Sequence, residues 1–407
     1  MSEIPHFDAP QPSCASRRKL LYWGAGSLAA LGLISLLFIS TISKTDEQYR
    51  EECKQHVAAE DWTQLAETAS EWVGVAKFPD EAYMNLADAK LQSGDPAAAV
   101  EALLSVPLRS RKAYAASIVA CDLQFGPANQ PLAGVETLKR LKLMRPSSIT
   151  TRKRLLFFYA LTLQRNLMID EIREAIADSA EPPDAYVYLI LSDDLNFSNG
   201  FEKNTGWLKS DPDEVTFQAA RIVHLIKGIE ASPNSKVKAG LPQYLERFQQ
   251  LMKQHPENLV LLRFALQRAI RDFEIAAVER LVSLIPTDTQ DSVLLRQRGW
   301  LKFQQEEFEH CKTLLEDSLR INPLDWHAWH ELAACRRRLG DLAGSTDASQ
   351  IALDGKELRK KLLQMSDAAA IQPDTLAEIA KYAKACGDQQ TANAIFRRVR
   401  LLQQVPV

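Results

Sequence analysis

Behind Lys44, apolar residues recur at three- and four-residue intervals in nearly every window, as in RKRLLFFYALTLQ and YLERFQQLMKQ. That spacing puts the apolar positions on one face of a 3.6-residue helix, whereas runs that alternate every second residue, the mark of a half-buried strand, are few. Ala, Leu, Gln, Glu and Arg abound, and all are good helix formers. The soluble part is expected to be all-α. One stretch differs in kind: Leu20 to Ile42, LLYWGAGSLAALGLISLLFISTI, carries no formal charge from end to end. As a helix it spans roughly 34 Å, enough to cross a bilayer with some tilt.

The flanks of that stretch set its expected orientation. Arg17, Arg18 and Lys19 precede it, while the charges behind it, from Lys44 to Glu52, nearly cancel. By the positive-inside rule residues 1–19 form a cytoplasmic tail, residues 20–42 a transmembrane helix, and the remainder lies outside the cytoplasm, on the periplasmic side of a bacterial inner membrane. A cleaved signal peptide is the rival reading, but its apolar core is usually shorter, about 7–15 residues. Ala25 with Ala29 and Gly26 with Ala30 give small-xxx-small spacing, so a homodimer through the anchor joins the expected partners.

Sliding the chain against itself, so that Asn258 falls on Ser292 and Ser292 on Trp326, organises the rest. Units begun at these three residues align Leu261, Leu295 and Trp329 at position 4 and Ala265, Gly299 and Ala333 at position 8. They also align Ala277, Cys311 and Ser345 at position 20, and Leu284, Ser318 and Ala352 at position 27. Small residues at such positions let two helices cross closely. Units from Asp46, Asp80 and Pro373 fit the same frame, and Gly94-Asp95, Gly340-Asp341 and Gly387-Asp388 fall at positions 15 and 16, where one helix must stop and the next be capped.

On these residues the chain resembles the tetratricopeptide repeat family, whose 34-residue units are helix-turn-helix pairs stacked into a superhelix. The resemblance covers about half the chain and implies an α-solenoid of about ten stacked helix pairs behind the membrane helix. Residues 43–112 and 257–407 read as such units, the last pair as a cap. Between them, residues 113–256 keep helical periodicity while the register drifts, and read as a degenerate repeat region. Ser198 to Trp207 and Ala231 to Gly240, rich in Gly, Asn, Ser and Pro, are expected to be inserted loops. LDGKELRKKLLQM should lengthen the second helix of the Trp326 unit. A stack of this kind is expected to have no single closed core and to expose a concave surface.

Charge and candidate chemistry narrow the function. With 49 basic and 52 acidic side chains, net charge -3, no large positive field exists to hold nucleic acid. The six cysteines form no CxxC, and no P-loop, GxSxG or HExxH occurs. His327 and His330, with His310 one unit earlier, lack an evident third ligand. No catalytic residue, metal or cofactor is therefore assigned.

Recognition remains. In tetratricopeptide arrays the groove is lined by the first helix of each unit, and the resemblance carries that role onto Leu262, Leu266 and Ile270, then Arg296, Trp300 and Phe303, then His327, His330, Arg337 and Arg338. Such a lining suits a protein or peptide partner with apolar and acidic side chains; for Trp300 and Phe303, packing between units is the equal alternative. The carboxylate clamp of heat-shock cochaperones needs Lys and Asn where this chain has Arg50 and Lys54, and it is not reproduced. The expected function is a membrane-anchored scaffold or adaptor that assists assembly of an envelope complex. The alternatives are a self-associating structural protein and an enzyme hidden in residues 113–256.

Overall fold

The computed structural model describes residues 44–193, 197, 199–365 and 367–404. The regular structure of these residues is helical. They fall into two compact units divided after Pro107. The segment 20–42 lies outside the described residues, and among those described no helix is long and apolar enough to cross a membrane.

In the first unit α1 (Asp46–Ala58), α2 (Trp62–Val75), α3 (Asp80–Gln92) and α4 (Pro96–Leu104) pack each on the next. Thr45 opens α1 with a capping box to Gln48, and Asp61 and Asp95 accept from backbone N–H groups to open α2 and α4. Tyr49 stacks on Trp72 with ring centroids 6.2 Å apart, over buried Cys53, Leu65 and Ala69.

The second unit begins with α5 (Ala113–Phe125), α6 (Pro131–Met144), α7 (Ile149–Leu161) and α8 (Arg165–Ala177). Shorter α9 (Pro183–Ile190) and α10 (Gly200–Trp207) lead to α11 (Val215–Ala231), one-turn α12 (Ser235–Lys238) and α13 (Leu241–Gln254). The segment expected as a loop at Ser198 to Trp207 is thus mostly helix: Asn204, fully buried, donates to the carbonyls of Leu161 and Gly200, and Trp207 packs on Phe158. Tertiary burial overrides its loop-like composition. Then come α14 (Leu259–Arg271) with α15 (Ile275–Val282), α16 (Ser292–Gln304) with α17 (Phe308–Ile321), α18 (Trp326–Arg338) with α19 (Leu342–Leu363), and α20 (Pro373–Ala385) with α21 (Gln389–Gln404). At 22 residues, α19 is the lengthened second helix that the spacing implies.

One frame underlies these pairs. In seven of them the residue capping the first helix is followed, always at the same interval, by a left-handed residue: Thr45 and Glu60, Pro79 and Gly94, Ser148 and Leu163, Asn258 and Phe273, Asp291 and Glu306, Asp325 and Gly340, Gln372 and Gly387. Glycine fills this slot at φ of 81 to 83°, but Glu60, Leu163, Phe273 and Glu306 hold φ of 54 to 61°. An L side chain there costs about 1–2 kcal/mol. The middle region therefore drifts less than its residues imply, since the caps Ser148 and Pro182 are as far apart along the chain as Asp291 and Asp325.

The frame also corrects the register of one pair. The caps Asn258 and Asp291 stand one position closer together than Asp291 and Asp325, so α14 is rotated by one residue relative to the alignment on small side chains. Leu266, Val278 and Ile285 then stand where α16 and α17 carry Gly299, Cys311 and Ser318, and all three are buried while Leu284 is 43% exposed. This crossing is filled by bulky aliphatics.

The second unit also departs from an open stack. The last pair returns onto the middle: α21 packs on α8, and α9 packs on α19. Arg173 pairs with Asp388 at 3.0 Å, and Arg398 donates to the Glu181 carbonyl at 3.2 Å. One of the unit's apolar clusters joins Leu155, Phe158 and Phe217 to Leu324, Ile379 and Ile395. Separate clusters remain between successive helices from α11 to α18, as expected of a stack without a single closed core, and the fold-back adds one long-range cluster beside them.

Candidate functional site

Where the second unit curves on itself, several first helices turn an inner face onto a cavity of about 270 Å³. It is lined from the end of α7 (Tyr159), from Arg165, from Asp193, from α11 (Val223), from α14 (Arg263, Phe264, Gln267), from α16 (Arg296, Gln297) and from α18 (His327, Glu331). The lining mixes apolar side chains, among them Val223, Val260, Phe264 and Ile270, with the charged ones.

Those charges form a repeated device. Asp291 caps α16 through Oδ1, bonded by the N–H groups of Val293 and Leu294, and its Oδ2 takes Arg263 Nη1 at 2.9 Å. One pair later Asp325 caps α18 through Oδ1, and its Oδ2 lies 3.2 Å from Arg296 Nε. In each case the Arg five residues behind one cap reaches the cap of the next helix pair. A carboxylate that accepts backbone N–H groups at a helix start and also a guanidinium fixes both the cap and the stacking. The arrangement stops at α18, where the corresponding residue is His330, exposed to solvent.

Asp193 adds a cross-strut. It pairs with Arg165 and, at 3.1 Å, with Arg296. Burial alone would raise its pKa, but Arg165 and Arg296, joined by His327, outweigh it and hold the carboxyl well below the usual carboxylate range. Arg165 Nη1 also donates to Ser292 Oγ at 3.0 Å. Glu331 is the contrast. It is half-buried with its Oε2 fully enclosed and unbonded, and burial pushes its pKa up to about 8 against the opposing pull of Arg296.

Of the residues assigned to the groove from the repeat pattern, Arg296 and His327 line this cavity, with Ile270 beside them. Leu262 and Leu266 do not: both are 0% exposed in the core between α14, α15 and α16. The one-residue register shift turns Arg263 and Gln267 inward in their place. Aligning the caps Asn258, Asp291 and Asp325, rather than the small side chains, would have found them. Trp300 packs edge-on against Phe273 and Phe303 against Phe308, so both serve as packing residues between neighbouring helices. His330, Arg337 and Arg338 are exposed and do not line the cavity. Arg296 is also not free for an acidic ligand, being held by two aspartates of the protein itself.

Fold and site together define, among the described residues, an all-helical protein of stacked, tetratricopeptide-like pairs with an inner cavity of mixed polar and apolar lining. No protein-family model and no curated protein matches the sequence. Among solved structures, yeast Tom70 shares 13% identity over 90% of this chain and 93% of that one, with a TM-score of 0.27. A human IFIT1 dimer with m7Gppp-AAAA shares 11% over 85% and 95%, with a TM-score of 0.32. Neither likeness assigns a function.

Proposed function

We propose that the protein is a scaffold that receives part of a protein partner in the inner cavity of its second unit, with residues 20–42 tethering it to a membrane. The supporting observation is that α11, α14, α16 and α18 turn polar and apolar side chains onto a cavity of about 270 Å³ instead of closing it with core. A pocket of that size and mixed lining suits one or two side chains of a partner, while the helices around it supply a rigid frame. Tethering would raise the effective concentration of an array whose partner shares the membrane, without any new contact.

Photo-crosslinking in the cells that make the protein tests this. A photoreactive residue at Gln267, in the cavity, should give a defined protein adduct, whereas the same residue at Asp317, on second helix α17, should not. Equal adducts from both positions, or none from Gln267, would reject the cavity as the docking place.

A further inference from the structure

On the side of α11 turned away from the inner cavity, Gln218, Arg221, Ile222 and Leu225 share one helical face and line a second hollow, of about 360 Å³. Phe201 of α10 and Tyr244, Arg247 and Leu251 of α13 complete it. Val223 and Lys227, which line the inner cavity, stand on the other face of α11, and the two hollows have no residue in common.

Their charge differs as well. Asp193 and Glu331 line the inner cavity among its basic groups, whereas the second hollow is lined by two guanidinium groups and no carboxylate. The sequence supplies the reason. Three and four residues to either side of Arg221 stand Phe217, Gln218, His224 and Leu225, and around Arg247 stand Gln243, Tyr244, Gln250 and Leu251. Elsewhere those helical neighbours provide the counter-ion, as Glu47 does for Arg50 and Asp317 for Arg320. Among the described residues no carboxylate bonds Arg221 or Arg247. Arg221 is half-buried between helices, and Arg247 is exposed with its guanidinium 5.6 Å from the Tyr244 ring centre. Phe201, Ile222, Leu225 and Leu251 give the hollow an apolar floor beside these two cations.

We propose that this hollow is a second docking surface, which takes an acidic segment of a protein partner. An Asp or Glu carboxylate of that segment bonds Arg221 and Arg247, and an apolar side chain next to it rests on the floor. Charge complementarity names the occupant: a guanidinium fork fits a carboxylate in two parallel bonds, and a half-buried cation gains most from a counter-ion that arrives with its own apolar cover. A nucleic acid is the competing anion. It is disfavoured because no lysine lines the hollow and a net charge of -3 provides no wider positive field for a chain of phosphates. This surface goes beyond the inner-cavity reading and does not depend on it.

Three probes separate the chemistries: acetyl-Glu-Leu-Phe-Glu-amide, its Gln-Leu-Phe-Gln counterpart and a tetrauridylate, each titrated into the full chain and read by the methyl resonances of Ile222 and Leu225. The Glu peptide should shift those methyls saturably in the millimolar range, with the Gln peptide about tenfold weaker. Arg247→Gln, at an exposed position where folding is undisturbed, should weaken the Glu peptide about fivefold and barely alter the Gln peptide. Arg221→Gln should do the same. Equal binding of the two peptides, tighter binding of the tetrauridylate, a Glu peptide indifferent to both substitutions, or no probe moving the methyls overturns the assignment. None of these outcomes bears on the inner cavity, which stands or falls on the crosslinking at Gln267.

Discussion

The pairs α7/α8 and α16/α17 obey the same frame and fill it in opposite ways. Eight residues behind the cap, α7 carries Leu156 where α16 carries Gly299; at twenty the contrast is Met168 against Cys311, and all four are buried. Four behind the cap, α7 has Arg152, 1% exposed, where α16 has Leu295. Arg152 Nη1 bonds Glu171 at 2.6 Å, its Nη2 bonds Asp178, and Lys142 of α6 reaches Glu171 at 2.8 Å and Glu174 at 2.6 Å. The middle pair is joined to α6 by a partly buried ionic network and sits in a thick aromatic core; the later pair relies on close approach of helices and on the Asp-Arg device at its caps. Caps and turns set the frame, and the way its interior is filled varies freely so long as volume and polar bonding are matched.

The largest break in this comparison is expected at Arg152. Arg152→Ala leaves Glu171, 4% exposed, with Lys142 alone beside a vacated space and should lower stability by about 1.5–3 kcal/mol, while replacing both Arg152 and Glu171 with Met should recover most of the loss. Urea denaturation followed by circular dichroism checks it, and a loss under about 1 kcal/mol would mean that the network is not needed.

Gly299→Val comes next. A Cβ at Gly299 stands 3.1 Å from the Leu315 side chain, so a branched residue should cost about 1–3 kcal/mol. Leu156→Ala, at the equivalent place in α7, should fail by the opposite route, through a cavity. A stabilising Gly299→Val in the same denaturation assay would show the α16/α17 crossing to be loose.

The smallest effect concerns the shared turn. Nothing lies within 4 Å of a Cβ built on Gly340, yet its φ is +83°, so Gly340→Ala should cost about 1–2 kcal/mol through backbone conformation alone. Glu306→Gly, in the same slot one pair earlier, should change stability by no more than about 1 kcal/mol and in the favourable direction. Paired thermal melts measure both, and a neutral Gly340→Ala would dissolve the equivalence of the slots.

The frame was visible where the chain spends glycine and aspartate on it, at Gly94-Asp95, Gly340-Asp341 and Gly387-Asp388, because a left-handed residue followed by a carboxylate cap has few other uses. It was hidden at Leu163 and Phe273, residues whose types give no hint of a left-handed turn. The same asymmetry governs the site. Arg296 and His327 were legible because their units keep the register that the small residues advertise, and Arg263 and Gln267 were missed because Leu266 and Val278 occupy the crossing that small residues mark elsewhere.

The amino-acid order by itself determined the helices, most of their starts and stops, and the two-helix repeat, since these rest on periodicity, capping and φ preference within a few residues of chain. Only the tertiary structure decided that the second unit closes upon itself, that Arg296 serves Asp193 and Asp325, and that burial raises the Glu331 carboxyl. Those outcomes depend on which groups meet across long stretches of chain, and on the water that their meeting excludes.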